Sequence, residues 1–316
     1  MPDPKITMPN FNKKLMPLIA IIGPTATGKS DLAVKLAKKF NGEIVSADSR
    51  QVYKGMDIGS GKITKKEMMG VPHYLLDMAS PKTVYSAERF KKETDKTIAN
   101  IVKRGKIPFL VGGTGFWIDT VTKNKNFPEV PPDFKLRKTL DLLSAEKLFE
   151  MLKKLDPDRA INIDAKNKVR LIRAIEIANT GIMPSKIIVD KESPYKTLFL
   201  GLDANDEILK NKIHKRLIKR INGGLPEEVT TLHKSGITWK RLNEFGLEYR
   251  YISNMLLGKT TPEETIKLLE MEIWHFAKRQ RTWFKRNKEI NWLDAADKKT
   301  AYNKAENLVK TFLGQN

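Results

Sequence analysis

The chain has no cysteine, which excludes a disulfide, a thiolate metal site and a thiol nucleophile. Histidine is scarce. His73, His214, His233 and His275 are the four present, and no two stand at helical metal-ligand spacing, so no structural zinc site is expected. No apolar run is long enough to span a bilayer, and the polar opening segment Met1–Lys14 lacks a signal-peptide core. These absences predict a cytoplasmic protein without a membrane partner. Acidic residues are also short in supply, 37 against 58 Lys+Arg for a net charge of +21 over 316 residues. Such an excess suits a nucleic-acid partner, although a solvated lysine-rich surface would give the same number.

Residues 23–30 read Gly23-Pro24-Thr25-Ala26-Thr27-Gly28-Lys29-Ser30, a complete G-x-x-x-x-G-K-[ST] phosphate loop. The apolar run Leu18–Ile22 before it reads as a buried parallel strand. After it, Leu32, Ala33, Leu36, Ala37 and Phe40 share one helical face. Such a loop converges backbone N–H groups on one anion at the positive end of a helix. Lys29 adds a point charge for terminal phosphates, and the Ser30 hydroxyl is the candidate magnesium ligand.

Strands alternate with helices through the first third, which predicts a parallel sheet. The strands are expected at Glu43–Ala47 and Ile107–Val111, with a helix over 87–104 between them. Pro128, Pro131 and Pro132 then mark a boundary, and 133–180 is helical in pattern. A strand at Leu198–Leu202, a basic helix from Asp206, a strand at Ile290–Leu293 and a helix from Lys298 follow. The predicted fold is α/β, a P-loop NTPase-like parallel sheet flanked by helices, with a helical insertion domain. The core is assigned to 1–122 and 198–316, and the insertion to 123–197. Basic residues crowd into 210–220 and 278–288. The second cluster interleaves with Trp274, Phe276, Trp283 and Phe284, rings that suit base stacking or simply core packing.

Asp48, at the end of the second predicted strand, faces the ligand crevice of an open parallel sheet, as a magnesium-orienting acid or a base. It opens the string Asp48-Ser49-Arg50-Gln51-Val52-Tyr53. Gly55-Met56-Asp57-Ile58-Gly59, Pro72-His73, Tyr85-Ser86 and Val111-Gly112-Gly113-Thr114-Gly115 follow in order. Further along stand Arg170-x-x-Arg173-Ala174-x-Glu176, Gly224-Leu225 with Glu228, and Ala277-Lys278-Arg279-Gln280-x-Thr282-Trp283-Phe284. Over residues 18–293 this ordered set resembles the bacterial tRNA dimethylallyltransferase family. Three places depart from the family's pattern: Val169 replaces a glutamine, Gly61 replaces an alanine, and Phe245–Arg250 replaces I-G-Y-[KR].

The resemblance implies transfer of a dimethylallyl group from dimethylallyl diphosphate to N6 of the adenosine 3′ of the anticodon. The tRNAs concerned read codons that begin with U, and pyrophosphate leaves. It implies Asp48 as general base, and a phosphate loop that holds the leaving group with magnesium, Lys29, Ser30 and Thr25, Arg216 adding charge. Asp48, Ser49, Arg50, Gln51, Thr114, Arg170, Arg173, Arg279 and Gln280 match the family's tRNA-contacting positions on the anticodon stem-loop, and a monomer is implied. Phe116 and Trp117 are open between a prenyl pocket and the core; His73 is read as structural. The runner-up readings are an adenylate isopentenyltransferase or small-molecule kinase, and an NTPase switch. The latter would want a second carboxylate after Ile107–Val111, where glycines and threonine stand instead.

Overall fold

The computed structural model describes residues 15–128, 130–187 and 192–315; the Met1–Lys14 segment lies outside them. Six strands form one sheet: β1 (Met16–Ile22), β2 (Gly42–Ser46), β3 (His73–Tyr74), β4 (Ile107–Gly112), β5 (Tyr195–Asp203) and β6 (Asn291–Asp294). Their order is β3-β2-β4-β1-β5-β6, and every neighbouring pair is parallel. Strands buried on both faces read as continuous apolar runs, and β1 and β4 do so. β5 is longer than its apolar stretch. Its register with β1 begins at Met16↔Tyr195, so ladder hydrogen bonds extend the strand beyond the residues that packing alone selects.

The helices of the larger unit are α1 (Lys29–Lys39), α2 (Ala87–Lys103) and α3 (Gly115–Thr122), then, after those of the second unit, α8 (Asp206–Asn222), α9 (Leu225–Lys234), α10 (Trp239–Phe245), α11 (Leu247–Leu256), α12 (Pro262–Phe284) and α13 (Lys298–Phe312). Alternate residues of a strand face opposite ways. On β1, Leu18, Ala20 and Ile22 pack with Phe90, Ile98, Trp117 and Tyr249, while Ile19 and Ile21 pack with Leu36, Ala37, Ala305 and Val309. The sheet is thus covered on both sides. On α8, Leu209, Ile213 and Leu217 pack against Leu269, Ile273 and Ala277 of α12, which fixes the two basic helices against each other.

Residues Lys123–Glu192 make a second compact unit. It contains α4 (Phe134–Asp141), α5 (Ala145–Leu155), α6 (Pro157–Ile161) and α7 (Lys168–Ala178). Its own core is Leu140, Leu148, Leu152, Leu171 and Ile175. At its centre the Glu176 carboxylate accepts from the Asp133 N–H at 2.7 Å, from Arg137 Nε at 2.7 Å and from the Arg173 guanidinium. Burial works against its charge, but the Arg137 and Arg173 bonds prevail and hold it down at about 2.

Between β2 and α2 the chain makes one short strand and many turns. This long connection is not loose. Lys62 is inside it, donating to the Tyr53 carbonyl at 2.9 Å and to Asp77 at 2.6 Å, and Tyr53, Met56 and Leu75 are buried. His73 is structural here, its Nδ1 on the Val71 carbonyl at 2.8 Å. Among the described residues no helix is long and apolar enough to cross a membrane.

Candidate active site

The phosphate loop joins β1 to α1, and its shape is set by backbone conformations that few residues adopt. Gly28 caps α1 at φ 90°, and Ala26 sits at φ 65°. The Ala26 geometry costs about 1–2 kcal/mol, and such strain collects where a loop is shaped for a ligand. The Thr27 hydroxyl and Lys29 Nζ both reach the Pro24 carbonyl, at 2.9 and 2.6 Å. Burial, then the nearby Arg216, push the Lys29 ammonium down to about 7, with Asp48 opposing them.

Arg216 projects from α8 to the loop. Its guanidinium donates to the Thr25 hydroxyl at 2.6 Å, so it is not a residue of a solvated helix face. Burial and then Arg220 push it down to about 9, with Glu248 and Asp48 opposing. Three cationic groups therefore crowd together, and Glu248 takes one of them, accepting from Arg220 at 2.7 Å. Lys29 and Arg216 remain directed at the loop. Positive charge held under a desolvation penalty suits an anion of several charges.

Asp48 follows β2. One of its carboxylate oxygens accepts from the Arg50 N–H at 2.9 Å and the Gln51 N–H at 3.4 Å, which fixes the side chain's direction. Thr114, after β4, accepts from the Ser49 N–H at 3.1 Å. Gln51 is held between the Ser46 hydroxyl at 3.0 Å and the Gly61 carbonyl at 3.2 Å. Arg50 donates to the Phe245 carbonyl at 2.8 Å; burial lowers its pKa, with Asp48 and Tyr53 opposing. A cleft of about 320 Å³ gathers Thr25, Asp48, Thr114, Arg216, Phe276 and Arg279 along its walls. Two larger depressions, of about 440 and 600 Å³, contain neither Asp48 nor the loop. Thr25, Asp48, Thr114 and Arg216 share the smaller one.

The other expected residues fall in different places. Arg279 is exposed on α12 at the cleft. Gln280, next to it, is 7% exposed, with both ends of its amide bonded to backbone. Arg170 is exposed on α7 in the second unit, where Arg173 also donates to the Val130 carbonyl at 2.9 Å. Of the rings interleaved with charge on α12, Phe276 lines the cleft. Phe284 is core, and Trp283 packs edge-on to Phe116. Trp117 is core too, stacked on Phe90 at 4.2 Å, which removes it from any prenyl pocket.

One group stood in the sequence as part of a motif without any assigned task. Glu228, in the first turn of α9, accepts from the N–H groups of Asp57, Ile58 and Gly59 at 2.8, 2.6 and 3.0 Å, and from the Tyr249 hydroxyl at 2.9 Å. A glutamate there is ordinarily a partner of the helix dipole. Its task of pinning a cleft-wall loop is visible only once the chain is folded.

Fold and site together define a phosphate-loop α/β protein whose anion cradle opens on a carboxylate at a neighbouring strand end. The family described as IPP transferase matches residues 51–287, and the chain belongs to it. Relatives named tRNA dimethylallyltransferase are 43% identical in Lachnoclostridium phytofermentans, over 90% of this chain and 93% of that protein, and 39% identical in Pelotomaculum thermopropionicum, again over 90% and 93%. The full-length tRNA isopentenylpyrophosphate transferase of Bacillus halodurans has a similar structure, with TM-score 0.72 and 35% identity over 94% of this chain and 97% of that one. A eukaryotic dimethylallyltransferase solved acting on tRNA reaches TM-score 0.81 at 28% identity, over 95% and 80%. The family match begins after Asp48 and the phosphate loop.

Proposed function

We propose that this chain transfers the dimethylallyl group of dimethylallyl diphosphate to N6 of the adenosine immediately 3′ of a tRNA anticodon, releasing pyrophosphate. The observation that carries this reading is the Asp48–Thr25–Arg216 cleft. It gathers the Asp48 carboxylate with Thr25 and Arg216, which suits a diphosphate beside a base, in a member of the IPP transferase family. Relatives that are named for action on tRNA support the acceptor, as do the net charge of +21 and Arg279 at the cleft.

The adenine amine is a poor nucleophile because its lone pair is delocalised into the ring. Asp48 takes its proton as the N–C bond forms. The C–O bond of the diphosphate breaks, and charge grows on the departing pyrophosphate. Lys29, the loop N–H groups, Arg216 and the Thr25 hydroxyl that Arg216 holds stabilise that charge. Ser30 fits a magnesium ion. The Ser30 hydroxyl, in the first turn of α1, would be the protein's donor to it beside diphosphate oxygens and water, a set that a hard hydrated cation accepts. Bound there, magnesium supplies further charge to the diphosphate.

The adenosine must leave its stack to reach Asp48. Ser49, Arg50 and Thr114 are on the wall it would meet, with Arg279 at the rim; Gln51, bonded to Ser46 and Gly61, and Arg170 and Arg173 of the insertion unit are further proposed contacts to the stem-loop. The chain is proposed to act as a monomer. A parallel assay with labelled dimethylallyl diphosphate, offering an unmodified anticodon stem-loop, AMP or buffer as acceptor, tests the reading. Label on the stem-loop supports it, and label on AMP alone moves the chain to the adenylate enzymes.

A further inference from the structure

Gln280 is nearly enclosed by its own chain. It is 7% exposed near the end of α12, and its carboxamide spans two loops: Oε1 accepts from the Thr25 N–H at 2.8 Å, and Nε2 donates to the Gly113 carbonyl at 2.9 Å. A buried amide with both ends satisfied resists displacement, because each lost bond leaves a polar group without water. The approach is close. A Cβ at Gly113 would lie 2.4 Å from Nε2, so Gly113 is the residue type that lets the amide reach its carbonyl.

The two loops carry the two ends of the reaction. Thr25 holds Arg216 through its hydroxyl at 2.6 Å, at the diphosphate end. Gly113 precedes Thr114, whose hydroxyl accepts from the Ser49 N–H at 3.1 Å, one residue from Asp48. No other side chain bonds both the phosphate loop and the loop after β4 among the hydrogen bonds of the described residues. We infer that Gln280 is a positioning residue which sets the spacing between the base at Asp48 and the leaving-group cradle, and that it does not contact tRNA. The inference deepens the proposed transfer reaction and rests on it. It separates Gln280 from Arg279, its exposed neighbour in sequence, and gives them different tasks.

Gln280→Met keeps the length of the side chain and removes both hydrogen bonds; Gln280→Glu keeps an acceptor for the Thr25 N–H. The measurements are single-turnover prenyl transfer at saturating stem-loop and dimethylallyl diphosphate, stem-loop affinity by fluorescence anisotropy, and amide exchange over residues 23–28. Misplacement of reacting groups by about 1 Å costs on the order of 100-fold in rate, so Gln280→Met is expected to lose roughly 30- to 300-fold in single-turnover rate. Its stem-loop affinity is expected to stay within about threefold, at the low end of what one hydrogen bond contributes, and exchange of the phosphate-loop amides to rise. Gln280→Glu is expected to retain more protection at Thr25 than the methionine variant, and it serves the same test if that variant does not fold. A weaker stem-loop complex with an unchanged saturated rate would make Gln280 an RNA contact and overturn the inference. A lowered melting temperature with rate and exchange both unchanged would overturn it as well. If the wild-type chain transfers no prenyl group, the functional reading and the positioning role fall together, and unchanged exchange in the variants would further remove the staple itself.

Discussion

Lys29 and Asp48 pose opposite electrostatic problems a few residues from each strand end. Lys29 is held at about 7 against an ordinary 10.5. Between those values an unfolded chain keeps a proton that the folded chain has lost, so stability rises with pH across this window and the buried charge costs most below it. A bound diphosphate reverses the shift by giving the ammonium a partner. Pyrophosphate affinity should therefore fall more steeply from pH 7 to 9 in the wild type than in Lys29→Arg, whose charge does not titrate. Equal slopes by calorimetry would contradict this. Asp48 is best removed as Asp48→Asn, which keeps an acceptor for the Arg50 and Gln51 N–H groups. Transfer should drop by about 10²–10⁴-fold, the usual share of a general base, with stem-loop affinity nearly intact. A large affinity loss would make Asp48 a recognition residue. Both residues were legible in the sequence, because a phosphate loop and an acid at a strand end are local patterns. Gln280 and Glu228 stood in the sequence only as members of motifs, and their bonding partners were not legible, since these lie 255 and about 170 residues away in the chain.

At the scale of elements, the strands and helices around the loop follow from apolar period and capping residues. Ser86, Asn205, Thr261 and Asp297 each accept from the first turn of the helix they begin. What periodicity did not reveal is how α12 divides its faces. Leu269, Ile273, Ala277, Gln280 and Phe284 recur at intervals of three and four and are buried, so the aromatic and basic residues between them separate into core, cleft rim and outer face. Trp283 and Phe284 went to the packing side, which a one-dimensional reading of interleaved rings and charges cannot tell from a stacking surface. In the insertion, Glu176 ties α7 to α4 through Arg137 and pairs with Arg173 on its own helix. Its carboxylate, held at about 2 against 4.5, contributes stability that is complete above pH 4.5 and is lost as pH falls toward 2. Glu176→Gln should destabilise the insertion unit, because it removes the buried carboxylate that the partly exposed Arg137 and Arg173 share. Urea unfolding followed by far-UV circular dichroism at pH 7 and pH 3 checks this: the gap between variant and wild type should shrink in acid.

Over the whole molecule, a charge of +21 has a physical consequence apart from any one contact. Cations that neutralise phosphates release counterions, so stem-loop affinity should weaken ten- to a hundred-fold between about 50 and 200 mM salt. A flat response would mean that the basic surface serves no polyanion. The parallel sheet was foreseeable from alternating strands and helices, and the chain's membership of the IPP transferase family agrees with the ordered motifs from Asp48 to Phe284. The convergence of Thr25, Asp48 and Arg216 could not be read from spacing, since Arg216 stands on a basic helix of uniform appearance and is set apart only by its reach to the loop.

The most direct test of the account is to incubate the protein with magnesium, dimethylallyl diphosphate and an unmodified anticodon stem-loop, then digest the RNA and weigh its nucleosides. The account predicts a gain of one dimethylallyl unit on the adenosine immediately 3′ of the anticodon, absent with Asp48→Asn. An unchanged stem-loop, or a prenyl group on another nucleoside, would contradict it.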